Sequence, residues 1–243
     1  MSSETPLLRA GARVRPRSQP VPPAFAGTVA GKVFASLARM NDGARHDTLR
    51  AVVEARIAAL RPEFLERAAA ECAALLHDGA GFVERFPIYV LARALGVPSA
   101  ELDRLFPAAR DFANAMAQDA DAEALARGIP AAELLVAIFE RVGAPRPFEE
   151  VANDVGFMFQ GYAGMRALLR SALAAPAGVL AEIVYEDPPI AATRRFFGDD
   201  VVVVSLREHP FGAGSHACPG REIALAIVAL GLRYFANGVA SAQ

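Results

Sequence analysis

The chain has 243 residues, 53% of them hydrophobic and 21% charged, with a formal net charge of −2, which is enough for one large domain with a sizeable core. Near-neutrality, with Lys32 the one lysine among 25 basic residues and no basic cluster, excludes nucleic acid as a main partner. No apolar run approaches the roughly 18 residues of a membrane span, and two cysteines far apart with no signal-peptide core indicate a protein of a reducing cytoplasm.

Residues 1–24 hold five prolines and four arginines with little apolar periodicity, and read as a flexible N-terminal tail or extended arm ahead of a single domain over 25–243. Beyond it, helical spacing runs through 44–60, 61–79, 84–98, 99–117, 129–143 and 148–175, with Gly or Pro separating most of the segments. In the first helix His46 and Arg50 stand four apart, on one face. On their own they fit a solvated surface or two donors to one anion. Gly156, Gly161 and Gly164 in the last long helix each weaken it locally by about a kcal/mol, which suits either a kink or close helix packing.

Strand candidates are few. PIAATRRF (189–196) and DDVVVVSL (199–206) are the short runs with β-branched residues bounded by turn signals. Then comes HPFGAGSHACPG (209–220), followed by a strongly apolar helix pattern over 221–235. Gly212, Gly214 and Gly220 allow the loop to fold amides back toward the Cys218 sulfur, and Pro219 suits a first helical position. A thiolate is stabilised by such amides and by a helix N-terminus. A phosphate loop, a zinc site made by His209, His216 and Cys218, and an inert turn cysteine remain as alternatives, though none explains the whole pattern. Cys72 reads as a small buried hydrophobe.

The run FGAGSHACPG resembles the haem-binding loop of the cytochrome P450 superfamily, with the pattern Phe-Gly-x-Gly-x-His/Arg-x-Cys-x-Gly. The resemblance implies a mainly α fold, a reduced P450 with haem b between a long central helix and the C-terminal Cys loop and helix, plus a few short strands. It makes Cys218 the axial ligand of the haem iron, sets Phe211 near the sulfur, and turns His216 toward a haem propionate. RMNDGARHDTLRAVV is similar to the superfamily helix whose His and Arg bind propionates, which assigns His46 and Arg50 to that role. LAEIVYEDPPIAATRRFFGDD resembles a segment Glu-x-x-Arg, Pro-Pro, haem-contacting Arg and Asp. Pro188, Pro189, Arg194 and Asp199 fit, so Arg194 becomes a third propionate donor. Glu182 fits as well, but Tyr185 stands where its arginine partner belongs, and that ion pair normally braces the Cys loop.

QGYAG (160–164) is similar to the Ala/Gly-Gly-x-Asp/Glu-Thr sequence over the oxygen-binding face. Gly161 matches it, while Ala163 and Gly164 replace the acid and the alcohol that relay protons. The chain is also shorter than members of the superfamily usually are. The resemblance implies an oxidoreductase, a monooxygenase or peroxide-driven oxygenase of a small organic substrate, supplied by a ferredoxin and reductase or by hydrogen peroxide, with no nucleic-acid or membrane partner. Arg166 with a substrate carboxylate is a candidate acid–base group. The other expectation is a haem-binding protein without oxygenase activity, or a remnant serving as a partner surface.

Overall fold

The computed structural model describes residues 11–16, 19–76, 81–117, 119–175, 180–186, 188–198 and 200–241. Nine α-helices are described: α1 (Val29–Ala35), α2 (Gly43–Ala58), α3 (Pro62–Leu75), α4 (Phe82–Ala94), α5 (Leu102–Ala115), α6 (Ala122–Glu140), α7 (Phe148–Ala174), α8 (Leu180–Glu186) and α9 (Arg221–Ser241). One antiparallel hairpin, β1 (Ala192–Phe197) and β2 (Asp200–Ser205), completes the mainly α architecture. No helix among the described residues is long and apolar enough to cross a membrane.

Local chemistry sets several boundaries. The Thr28 hydroxyl accepts from the Gly31 amide at 3.1 Å and starts α1, a helix that apolar periodicity alone does not reveal because it is only seven residues long. Asp121 accepts from the Ala124 amide at 2.7 Å, so α6 begins well before the segment at 129 that the sequence suggests, and carries Pro130 in its interior. Gly128 has no Cβ to collide with Ala115, which lets α6 cross α5 closely.

The helix α7 runs through the core and packs against α1, α2, α4, α5, α6 and α9. Its faces toward α4 and α5 are filled by Met158, Phe159, Tyr162 and Met165, with Phe86, Phe112 and Phe139 buried around them. One carboxylate is buried with them. Asp154 on α7 has no exposed side-chain surface, takes Nε and Nη2 of Arg56 at 3.0 and 3.1 Å, and takes Nη1 of Arg146 at 2.6 Å. Arg56 also donates to the Leu95 carbonyl, and Arg146 to the Phe139 carbonyl. Two guanidinium groups therefore tie α7 to α2 and to the ends of α4 and α6.

Part of the arm expected to be a tail is seated. Arg13 exchanges both backbone hydrogen bonds with Phe196 of β1 (2.9 and 2.8 Å), the Val14 amide donates to Asp42, and Arg15 lies over the rings of Phe34 and Phe196.

Candidate haem-thiolate site

The loop ahead of α9 is shaped by two glycines in the left-handed region, Gly212 (φ +73°) and Gly214 (φ +66°), where a side chain is strained. A Cβ on Gly212 would press on the His216 carbonyl at 3.3 Å. The turn is closed by the Gly212 amide on the His209 carbonyl (2.8 Å), the Ala217 amide on the Gly214 carbonyl (3.1 Å) and the Cys218 amide on the Phe211 carbonyl (2.7 Å). Helix α9 starts at Arg221, with the Gly220 carbonyl accepting the Ala224 amide. Pro219 thus lies one residue outside the cap rather than at the first helical position.

Cys218 presents an exposed residue surface, yet burial is the largest influence on its thiol and pushes the pKa up, against the Gly220 amide, which bonds the sulfur, and the charges of Arg50 and Arg39, which pull it down. The residue as a whole reaches solvent while its thiol is crowded by neighbouring protein groups. Phe211 is half-buried against the core, with the Arg221 guanidinium 5.4 Å over its ring.

The two histidines and Arg50 meet at this loop. His46 is buried on α2, its ring 4.2 Å from that of His216. His216 Nε2 lies 3.4 Å from Asp42 Oδ1, and Asp42 also faces Arg13 Nε at 3.6 Å. Arg50 donates through Nη1 to the Ala217 carbonyl at 2.6 Å and through Nε to Glu54 at 2.7 Å.

The hairpin register separates the adjacent arginines of β1. Arg194 pairs with Val203, and both are exposed; Arg195 pairs with Val202 and is 7% exposed. Arg195 rather than Arg194 therefore turns inward. Burial lowers its pKa, with Asp42 opposing. Arg39, in a 3-10 turn over Ala38–Met40, is the site residue that motif reading misses. Its surface is accessible, but burial lowers its pKa; Cys218 opposes that shift and Arg195 adds to it. Arg39 is thus near enough to the thiol and to Arg195 to feel both. No hydrogen-bond acceptor for Arg39 exists among the described residues. Asp199, which the resemblance places near Arg194, lies outside the described residues.

On α7, Gln160 and Ala163 are exposed and nothing lies within 4 Å of a Cβ built on Gly164. Gly161 serves a different face. A Cβ there would meet the tip of Met165 of the same helix at 2.7 Å and Leu91 of α4 at 3.4 Å, an ordinary contact distance, so this face of α7 packs on α4. The helix is continuous across all three glycines. Tyr162 is buried, and Arg166 donates to its hydroxyl at 2.8 Å and pairs with Glu84 of α4. Arg166 is thus committed to a packing network. Glu182 and Tyr185 are both exposed on α8 and share no hydrogen bond, so they do not brace the loop.

Among the described residues no three His, Cys, Asp or Glu side chains are placed to hold a metal ion, which removes support from a zinc site of His209, His216 and Cys218. An iron carried inside a macrocycle needs only one protein donor, and an anionic macrocycle needs cations. An exposed cysteine on a loop that gathers His46, His216 and Arg50 fits haem.

No protein-family model matches the chain, and no curated protein matches its sequence. Solved structures match its fold. P450BioI in complex with an acyl carrier protein ligated to hexadec-9Z-enoic acid superposes with a TM-score of 0.76 at 14% identity, covering 96% of this chain and 82% of that one. The cytochrome P450 PksS of the Bacillus subtilis bacillaene polyketide synthase gives 0.70 at 14% identity, with 96% and 79% covered. CYP164A2 of Mycobacterium smegmatis with econazole bound gives 0.63 at 18% identity, with 94% and 80% covered. The chain has the cytochrome P450 fold.

Proposed function

We propose that this protein binds haem b through Cys218 Sγ and acts as a haem-thiolate oxidoreductase on a small organic substrate, using hydrogen peroxide in preference to oxygen and an electron donor. The observation that carries this reading is the glycine-shaped loop that ties the Cys218 amide to the Phe211 carbonyl and brings His46, His216 and Arg50 together beside it. The P450 fold supports it.

Cys218 would supply the thiolate ligand, and Phe211, on the same loop, packs against the core. Arg39, Arg195, His46 and His216 would hold the propionates. Haem, when bound, would supply the oxidising chemistry that transfers oxygen to substrate. The chain's own contribution on the α7 side is limited by Ala163 and Gly164, since a methyl group and a hydrogen cannot hold or pass a proton. Tyr162 cannot substitute, because its hydroxyl is turned to Arg166. Gln160 donates its Nε2 to the Gly156 carbonyl at 2.9 Å and so is partly spent within the helix. Peroxide arrives carrying the two protons that this face does not deliver, so that only the shift of one proton between its oxygens is left to water or to the substrate, and this makes it the favoured oxidant.

Ala163 and Gly164 favour a second reading as well, a haem-binding protein without oxygenase activity. Titration of the purified protein with haemin separates both readings from a haem-free remnant: one equivalent is expected to bind. Screening of the loaded protein against small organic substrates with hydrogen peroxide then divides the first from the second, because only the oxygenase yields oxygenated product.

A further inference from the structure

We infer that Arg50 is the brace of the Cys218 loop, a positioning residue that sets where the sulfur points, rather than a propionate donor. The inference rests on the haem reading for its functional meaning, though the brace itself is a property of the chain. Arg50 Nη1 lies 2.6 Å from the Ala217 carbonyl and 3.4 Å from the Ser215 carbonyl. The Ala217 carbonyl and the Cys218 amide belong to one peptide plane, and that amide donates to the Phe211 carbonyl at 2.7 Å. The plane is therefore pinned at both ends, once by α2 and once by the loop itself. Rotating it would break both bonds, and this plane, together with φ of Cys218, sets the direction of the Cys218 Cα–Cβ bond.

The brace is itself held. Glu54, one helical turn along α2, takes Arg50 Nε at 2.7 Å, which fixes the guanidinium plane. A bond from a charged donor is stronger than a neutral one, and the Arg50 side chain is only 20% exposed. The loop's other tie, His216 to Asp42, holds a side chain rather than the Cys218 peptide, and Glu182 and Tyr185 add none, since both face solvent on α8. The arginine absent at position 185 thus has its counterpart on a different helix, at position 50.

Two measurements on Arg50→Ala and Arg50→Lys test this. In the haem-free protein, hydrogen exchange at the Cys218 amide is expected to accelerate at least tenfold in Arg50→Ala, and less in Arg50→Lys, whose ammonium still reaches one carbonyl. In the haem-loaded protein, Arg50→Ala is expected to keep its haem within about threefold of the wild-type dissociation rate while most of its reduced carbonyl complex loses the red-shifted Soret band of thiolate ligation. Unchanged exchange at Cys218, or an intact thiolate band accompanied by tenfold faster haem loss, would overturn the brace and return Arg50 to the propionates. If the wild-type protein takes up no haem, the haem reading fails and the exchange measurement still decides the brace. Arg50→Lys retains the charge and the helix, so it serves if Arg50→Ala does not fold.

Discussion

The rings of His46 and His216 lie with centroids 4.2 Å apart and planes tilted by 53°, one on α2 and the other in the Cys loop. His46 Nδ1 faces Asp47 at 3.0 Å and His216 Nε2 faces Asp42 at 3.4 Å. Each ring is thus positioned by a carboxylate and by the other ring. A charge-assisted hydrogen bond to a propionate is worth about 1.5–3 kcal/mol, so His46→Ala and His216→Ala are each expected to speed haem transfer to an apoglobin scavenger by roughly tenfold or more. Because the rings touch, the double variant should lose less than the two singles summed. Strict additivity would show that the histidines act independently.

Asp42 gives the site an acid limit. Burial pushes its carboxyl up, but hydrogen bonds from His216 and the Val14 amide, with the Arg13 charge, outweigh it and leave the pKa below the ordinary 3.8. A carboxylate depressed in the folded state stabilises it above the unfolded pKa and loses that contribution as pH falls through the folded value. The urea midpoint should therefore drop more steeply below about pH 4 in the natural protein than in Asp42→Asn, which should also be the less stable of the two at neutral pH. Parallel curves would mean that the arm and the Cys loop are not joined through Asp42.

The buried carboxylate of Asp154 is shared by Arg56 and Arg146. Removing one member of a buried ion pair leaves charge uncompensated and costs about 3–5 kcal/mol. Asp154→Ala is expected to lower the unfolding free energy by that order in urea denaturation, with α2 the first element to lose hydrogen-exchange protection. A loss below about 1 kcal/mol, the range of a surface pair, would contradict the role given to it.

What the sequence shows of this site and what it hides follow from how local each feature is. The Cys loop is legible because its geometry is written in glycines a few residues from the sulfur, and the His46–Arg50 face because helical spacing is regular. Arg39 carries no such mark. It sits in a three-residue 3-10 turn, where no period exists to show which way a side chain faces. The adjacent Arg194 and Arg195 show the limit in a strand. A shift of one residue in register exchanges the two faces, and the register comes from the pairing of Arg195 with Val202 rather than from either arginine. The Arg56–Asp154–Arg146 tie joins three distant segments, and nothing near any of them in sequence announces it. Arg13 was hidden by composition: a proline- and arginine-rich run reads as a tail until Phe196 supplies a backbone partner.

On α7, space and chemistry can be tested separately. A side chain at Gly164 meets nothing within 4 Å, whereas one at Gly161 meets Met165 at 2.7 Å and Leu91 at 3.4 Å. Gly164→Thr should fold without loss of stability, while Gly161→Val should be the less stable, because Met165 must move aside and the added γ-carbons press on Leu91 and Ile88 of α4. Joined with Ala163→Asp, Gly164→Thr restores a proton-holding pair, and the ratio of oxygen-driven to peroxide-driven turnover should rise. Tightly coupled oxygen-dependent turnover in the natural protein would refute the assignment of peroxide as the favoured oxidant.

The two cysteines should differ sharply in reactivity. Burial pushes the Cys72 thiol up to about 12, and the residue has no exposed surface, so it should resist alkylation in the folded protein at neutral pH. Cys218 is open and should be labelled in the haem-free protein, then protected when haemin is added. Equal labelling of Cys218 with and without haemin would place the haem elsewhere.

The most direct measurement is the absorption spectrum of the reduced carbonyl complex of haem-loaded wild-type, Cys218→Ser and Cys72→Ser proteins. Thiolate ligation predicts a red-shifted Soret band in the wild-type and Cys72→Ser proteins and its absence in Cys218→Ser. A colourless wild-type protein that refuses added haemin, or a Cys218→Ser variant that keeps the band, would contradict the assignment of Cys218 as the haem ligand.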